Sequence, residues 1–218
     1  MNYTDLKTIS GFLNPLTDQG PVVVKAQTMR KIQSDNTERL CNLFFQGQKE
    51  VCLTRNDIFK ARRGDIELFL LSVLFWGYPG NQRGRCTKAF NNWEDLVNMS
   101  NNLRRRKNLT NEEFRGYFRT MDNISGLGIS TYSKIFYFLG ITINGHPCLI
   151  LDDMVGKGIR LLEGHEFTNV KDTLNGQRYR YYRNYHHYLR FAHEFAESNA
   201  CPVDSVEYVL WLSGKKNI

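Results

Sequence analysis

The sequence predicts a mostly α-helical protein, and three observations predict it. Apolar residues recur at helical spacing along most of the chain. Strand signals are confined to Val22-Val23-Val24 and Leu149-Ile150-Leu151, and neither alternates over a full strand. Cap signatures stand at the head of several apolar runs: Asp65 before Ile66, Thr110 with Glu113, and Asp204 with Glu207. The 218 residues make one large domain or two small lobes. With 41% hydrophobic and 13% aromatic residues the chain can build a core, which excludes disordered, collagen-like and coiled-coil classes.

The elements follow in order. Behind Asp65, the residues Ile66, Leu68, Phe69, Leu70, Val73 and Leu74 predict a buried helix. It should stop at the breaker cluster Gly77-Tyr78-Pro79-Gly80. Trp93, Leu96 and Val97 predict a short helix. The Thr110/Glu113 capping box opens a helix with Phe114, Tyr117, Phe118 and Met121 on one face. That helix ends near Ile124, and Ser125-Gly126-Leu127-Gly128-Ile129-Ser130 leads into another. The second carries Ile135, Phe136 and Leu139 inward and closes at Gly140. Val170 to Glu197 reads as one or two helices dense in Tyr, Arg and His. The last helix turns Val206, Val209, Leu210 and Leu212 inward.

Charge narrows the partners. Lys and Arg total 29 against 22 acids, a net charge of +7. Eleven basic and five acidic residues lie between Leu53 and Thr110, so most of the excess is local. This favours an anionic partner, nucleic acid first. The longest apolar stretch, Ile66 to Tyr78, is too short to span a bilayer and carries Glu67. Asn2, Tyr3, Thr4 and Asp5 do not resemble a secretory signal, so a cytoplasmic protein with no membrane partner is expected. The five cysteines are scattered and form no CxxC pair, which predicts reduced, mostly buried thiols and no local zinc or iron–sulfur site. His186-His187 lacks a carboxylate at metal-ligand spacing, so no metal is expected.

Gly126-Leu127-Gly128 between two helices has specific physical content. The glycines permit backbone angles and close approach that a Cβ would block. Leu127 can plug the space between the helices. N–H groups at the start of the second helix then point outward and form a site for a DNA phosphate, which carries no sequence preference. No cofactor is expected, a structural monovalent cation at this hairpin being the one allowance.

Ile124-Ser125-Gly126-Leu127-Gly128 resembles the helix-hairpin-helix motif of the DNA glycosylase superfamily that includes endonuclease III, the adenine glycosylase and the 8-oxoguanine glycosylases. Cys148-Leu149-Ile150-Leu151-Asp152-Asp153-Met154-Val155 is similar to the family's hydrophobic run ending in an essential Asp that opens the next helix. Val206 to Gly214 is similar to a bacterial group described only as 8-oxoguanine-glycosylase-like. The resemblance implies a two-lobed, mostly α glycosylase fold over 1–218. Residues 110–160 would hold the hairpin and catalytic segment, and 1–109 with 161–218 the second lobe and flanking helices. It implies Asp152 as the catalytic carboxylate, Asp153 as a helix-N-terminal neighbour, and a monomer acting on double-stranded DNA with a damaged or modified base.

Two departures matter. The connection from hairpin to Asp is longer than the family's, with Asn144-Gly145-His146-Pro147 as the extra residues. Bifunctional members carry a lysine two residues after the second hairpin glycine, where this chain has Ser130. Base release by water is then expected. Lys134, one turn on from Ser130, is expected to contact phosphate or solvent, with a displaced amine nucleophile as the rarer alternative.

The target base must leave the stack before its bond can be reached. Tyr78, Asn81 and Gln82 are wedge candidates, and Arg83 and Arg85 candidates for phosphate or the orphaned base; the plain alternative is a basic surface loop. Arg104-Arg105-Arg106-Lys107 is a phosphate-contact candidate or a solvated face. The Gln177–Tyr188 stretch interleaves aromatic and basic residues, for base stacking or for core packing with snorkelling arginines. Gly156-Lys157-Gly158 suggests close helix packing near Asp152. The alternatives left open are a non-catalytic DNA-binding module, a glycosylase directed at hypermodified foreign (phage) DNA, and an RNA-binding or structural role. No motif writes the identity of the base.

Overall fold

The computed structural model describes residues 1–78, 85–125, 127–174 and 178–216. Among them the chain is mostly helical. It opens with α1 (Tyr3–Ser10), α2 (Pro15–Asp18), β1 (Val22–Lys25), α3 (Ala26–Met29), α4 (Thr37–Phe45) and β2 (Glu50–Leu53). Next come α5 (Arg55–Ala61), α6 (Ile66–Gly77), α7 (Arg85–Asn91), α8 (Trp93–Arg106) and β3 (Asn108–Leu109). The middle of the chain forms α9 (Asn111–Ser125), α10 (Ile129–Leu139), β4 (Thr142–Ile143), β5 (His146–Pro147) and α11 (Asp153–Arg160). It closes with α12 (Thr168–Lys171), α13 (Tyr185–Ser198) and α14 (Val203–Lys216). None of the described helices is long and apolar enough to cross a membrane.

The α6 helix is the hub of the early half. Asp65 caps it by accepting from the Leu68 N–H at 3.0 Å, and nine of its twelve residues are buried. A helix apolar on every side must be surrounded, and α4, α5, α8, α10 and β1 all pack on it. β1 pairs antiparallel with β2, setting Val22 opposite Leu53 and Val24 opposite Val51. Phe44, Phe45, Phe75, Phe90 and Trp93 pack as mostly edge-on aromatic pairs between α4, α6, α7 and α8, an arrangement that aromatic quadrupoles favour.

Several expectations change. The helix at Trp93 is not short: α8 runs for fourteen residues to Arg106. Beyond Val97 its buried face holds only Ser100 and Leu103, a sparse apolar signal. Ser100 bonds back to the Leu96 carbonyl at 2.8 Å. The Val170–Glu197 region is one short and one long helix separated by 3₁₀ segments, Asp172–Leu174 and Arg178–Asn184. Asp204 and Glu207 do not form a capping box. Glu207 is fully buried and takes a two-pronged bond from Arg55 at 2.7 and 3.0 Å, while Asp204 accepts from the Tyr137 hydroxyl at 3.0 Å. The acids lock α14 onto α5 and α10 instead, because a buried charge must be paired.

The cysteines are all unpaired; Cys41, Cys86 and Cys148 are buried, Cys201 is half-buried and Cys52 is exposed. The extra residues Asn144 to Pro147 fold into a hairpin. Asn144 and Gly145 have φ of 49° and 84°, as both central positions of a two-residue hairpin turn require. β4 and β5 flank that turn, and β3 pairs parallel with β4. The insertion therefore ties the α8–α9 connection to the α10–α11 connection and returns the chain to the core at Cys148, whose N–H bonds to the Ile141 carbonyl at 2.8 Å.

Candidate active site

The segment Leu149-Ile150-Leu151 is fully buried yet belongs to no sheet. The strand signal there is not realised as a paired strand, so its polar backbone needs other partners. Side chains supply them. The Tyr185 hydroxyl bonds both the N–H of Leu149, at 2.9 Å, and its carbonyl. The Tyr188 hydroxyl donates to the Ile150 carbonyl at 3.2 Å, and the Leu151 N–H donates to Ser133 Oγ at 3.0 Å. Burial pushes both tyrosine hydroxyls far above the usual phenol range, so they remain protonated donors. A strap is thus held by α13 on one side and α10 on the other.

Asp152 stands at the end of this strap and is the N-cap residue of α11. Its Oδ1 accepts from the N–H groups of Met154 at 3.0 Å and Val155 at 3.1 Å. Its Oδ2 is left to face Lys134, whose Nζ lies 3.5 Å away. One oxygen anchors the carboxylate and the helix N-terminus favours its charge; the other is presented. The side chain is 18% exposed, so the group is recessed but reachable.

Lys134, expected to reach phosphate or solvent, is instead a buried side chain. It is 4% exposed. Its Nζ donates to the Ser130 carbonyl at 2.8 Å and to Ser130 Oγ at 3.2 Å, besides facing Asp152. These three acceptors match the three N–H bonds of an ammonium. Its stem lies along the end of α6: a Cβ on Gly77 would come within 3.3 Å of Lys134 Cδ. The structure therefore gathers Ser130, Lys134 and Asp152 into one cluster. Asp153, beside it, is exposed.

The turn between α9 and α10 lies next to this cluster. Leu127 is 2% exposed, a burial consistent with the plug expected between the helices. Across the pair, the Tyr132 hydroxyl donates to the Met121 carbonyl, and the Tyr132 ring packs edge-on against Phe118. Gly128 is the N-cap residue of α10 and offers no side chain to the first-turn N–H groups; that of Thr131 bonds to the Gly128 carbonyl at 3.0 Å, while those of Ile129 and Ser130 have no side-chain cap and can meet an outside acceptor. Gly126 lies outside the described residues.

The other candidates divide. The Tyr78 hydroxyl shares a 2.8 Å hydrogen bond with Thr131 Oγ1, which holds it at the start of α10. Asn81, Gln82 and Arg83 lie outside the described residues, and Arg85 is described only as the first residue of α7. The half-buried Arg104 guanidinium donates to the carbonyls of Arg62 at 2.6 Å and Gly64 at 3.0 Å, so it ties the α5–α6 loop to α8. Arg106 pairs with Glu113 at 2.7 Å, while Arg105 is exposed.

Sequence reasoning missed the strap holders Tyr185, Tyr188 and Ser133. It also missed the partner of Gly158: a Cβ there would lie 2.0 Å from the Leu210 carbonyl oxygen, and one on Gly214 would lie 1.9 Å from that of Met154. The two glycines let α11 and α14 touch backbone to backbone, fixing the helix that Asp152 opens. The close helix packing expected of Gly156-Lys157-Gly158 is found at Gly158, while Gly156 is spaced from the Leu174 side chain.

No curated protein and no solved structure matches the chain. Residues 16–211 match the family described as "Putative 8-oxoguanine DNA glycosylase OGG-like protein". That stretch includes α9, α10, the strap, Asp152 and Lys134. The match covers most of the chain, and the protein belongs to this OGG-like DNA glycosylase family.

Proposed function

We propose that the protein removes a damaged or modified base from double-stranded DNA by hydrolysing its N-glycosidic bond, with Asp152 as the catalytic carboxylate. The observation that carries this reading is the split use of Asp152: Oδ1 is fixed by two helix N–H groups, and Oδ2 faces a buried ammonium on a side chain that is still 18% exposed. As the bond from C1′ to the base nitrogen breaks, its electron pair leaves with the base and positive charge builds on the sugar. A preorganised carboxylate stabilises that charge and can take a proton from the water that adds to C1′. Leu127, Gly128 and the N–H groups of Ile129 and Ser130 at the start of α10 would hold the DNA strand by its phosphates, as in a helix-hairpin-helix. The target cleft would lie between a lobe of residues 110–160 and a lobe of the remaining helices. The target nucleotide would be flipped into it.

A second reading has one specific observation in its favour. Ser130 removes the amine from one helical position, but Lys134 brings another to within 3.5 Å of Asp152. If Asp152 takes its proton, that amine could attack C1′, expel the base with its electron pair and form an imine after ring opening. Arguing for hydrolysis are the three acceptors that already surround Nζ. The test is a panel of duplexes carrying oxidised, alkylated and deaminated bases, oxidised guanine first, scored for alkali-labile abasic sites and run with and without borohydride. Alkali-labile sites without a trapped adduct support hydrolysis. A trapped adduct that disappears in Lys134→Gln supports the amine. Release of no base from a duplex that the protein binds leaves a DNA-binding module.

A further inference from the structure

A concavity of about 490 Å³ opens on the outer side of α9, lined by Arg115, Arg119, Tyr182, Arg183 and Asn184. Two of its arginines stand one turn apart on α9. The third comes from the 3₁₀ segment Arg178–Asn184. The walls are fixed. Arg115 Nη2 donates to the Arg183 carbonyl at 2.5 Å, and the Tyr182 ring lies flat on Phe118 with centroids 4.1 Å apart and planes 10° apart. The Arg183 guanidinium stands over the Tyr182 ring at 6.0 Å. No acidic side chain is among the five lining residues. Three guanidiniums around one hollow repel one another, and an anion between them relieves that repulsion. Planar guanidinium forks match phosphate oxygens two at a time, which a lone cation does not.

We propose that this hollow is a backbone-phosphate subsite for the DNA strand that reaches Asp152, a proposal that rests on the reading of the protein as a DNA glycosylase. Position supports that occupant. Arg119 is six residues before the end of α9, about 9 Å along the helix axis at ~1.5 Å per residue. Measured along the duplex axis, where each nucleotide of a strand rises ~3.4 Å, that spans about three nucleotides, so one strand can touch the turn before α10 and the hollow together. The contact would anchor the strand outside the reacting nucleotide and read no base.

The test is binding of a fluorescent duplex carrying an abasic-site analogue, titrated at several salt concentrations. Arg119→Ala with Arg183→Ala removes two guanidiniums and keeps the Arg183 carbonyl that Arg115 holds. Binding should weaken about tenfold or more, and the slope of log K against log salt should become shallower by about 2, near 0.9 per lost contact. The double lysine variant, which keeps charge without the fork, should keep the slope and bind more weakly than wild type. Lys7→Ala with Lys49→Ala removes the same charge away from the hollow and should leave the slope unchanged. A wild-type affinity and slope for the arginine-to-alanine pair would overturn the subsite, as would an equal drop in the Lys7/Lys49 control. Failure of the wild-type protein to bind the duplex at all would instead overturn the glycosylase reading.

Discussion

Lys134 and Asp152 are eighteen residues apart in the chain and face each other at 3.5 Å across the junction of α10 and α11. The pair is recessed, with side-chain exposures of 5% and 18%. Each partner is tied to its own helix: Lys134 to the Ser130 carbonyl one turn back, Asp152 to the first-turn N–H groups of α11. Moving either helix by an ångström changes the direction of Oδ2.

The two residues can be separated by substitution. Asp152→Asn keeps an N-cap side chain, so the fold should survive and DNA binding persist. Base release should fall by about 10² to 10⁴, the usual contribution of a positioned acid or base. Lys134→Gln removes one charge-assisted contact, worth about 1.5–3 kcal/mol, and should slow hydrolysis by about 10- to 150-fold. Single-turnover base release checks both. Undiminished turnover in Asp152→Asn would remove Asp152 from the mechanism.

Two glycines of α11 should behave in opposite ways. Gly156 meets only the Leu174 side chain, at 3.7 Å, while a Cβ on Gly158 would lie 2.0 Å from the Leu210 carbonyl oxygen. Gly156→Ala should be neutral or stabilising by up to ~1 kcal/mol, because alanine favours a helix. Gly158→Ala should destabilise by about 3 kcal/mol or more, since backbone cannot move aside as a side chain can. It should also reduce base release beyond its effect on folding, by displacing the helix that Asp152 opens. Urea denaturation of the two variants, with equal loss of stability as the adverse result, decides the matter.

The strap makes a prediction about phenols. Tyr185→Phe leaves the Leu149 N–H and carbonyl without the hydroxyl that serves both. A buried backbone group without a partner costs about 1–3 kcal/mol. Tyr188→Phe affects one carbonyl, whose bond is longer at 3.2 Å, and should cost less. In the double variant base release should fall more than either single change implies, because the two bonds hold adjacent residues of one segment. Thermal melts and base-release rates of the three variants check this; strictly additive rates would argue against a shared strap.

How much of this was legible beforehand follows from where the information sits. The helices either side of Leu127, the burial of Leu127 and the Asp at the head of α11 follow from local patterns, and sequence reads local patterns well. Lys134 was misread because its burial depends on α6 ending beside it at Gly77, a contact between distant segments. Leu149-Ile150-Leu151 reads as a strand signal because it is a short apolar run; that its partners are tyrosine and serine hydroxyls is written only in three dimensions. Arg104 looked like part of a solvated charge run because nothing local says that the carbonyls of Arg62 and Gly64 lie beneath it. Glu207 looked like a cap because Arg55, 152 residues away, is invisible at that range.

Acid sensitivity should trace partly to Glu67. It accepts from Arg39 at 2.9 and 3.2 Å and from Trp93 Nε1 at 2.6 Å. Arg39, with the Trp93 N–H adding to it, holds the Glu67 carboxyl below its ordinary value of 4.5. A carboxyl whose value falls on folding stabilises the fold fully above its ordinary range, and that stability is lost as the pH falls through the lower folded value. Half of the Arg39 side chain faces solvent, which limits the pair to about 1 kcal/mol or less. Glu67→Gln should therefore lower the Tm modestly at neutral pH, since the amide oxygen can still accept from Trp93 but carries no charge for Arg39. The gap between wild type and variant should close as the pH drops below the ordinary carboxylate range. Melting curves across that range are the measurement, and a gap that widens in acid would show that Glu67 contributes through packing instead of charge.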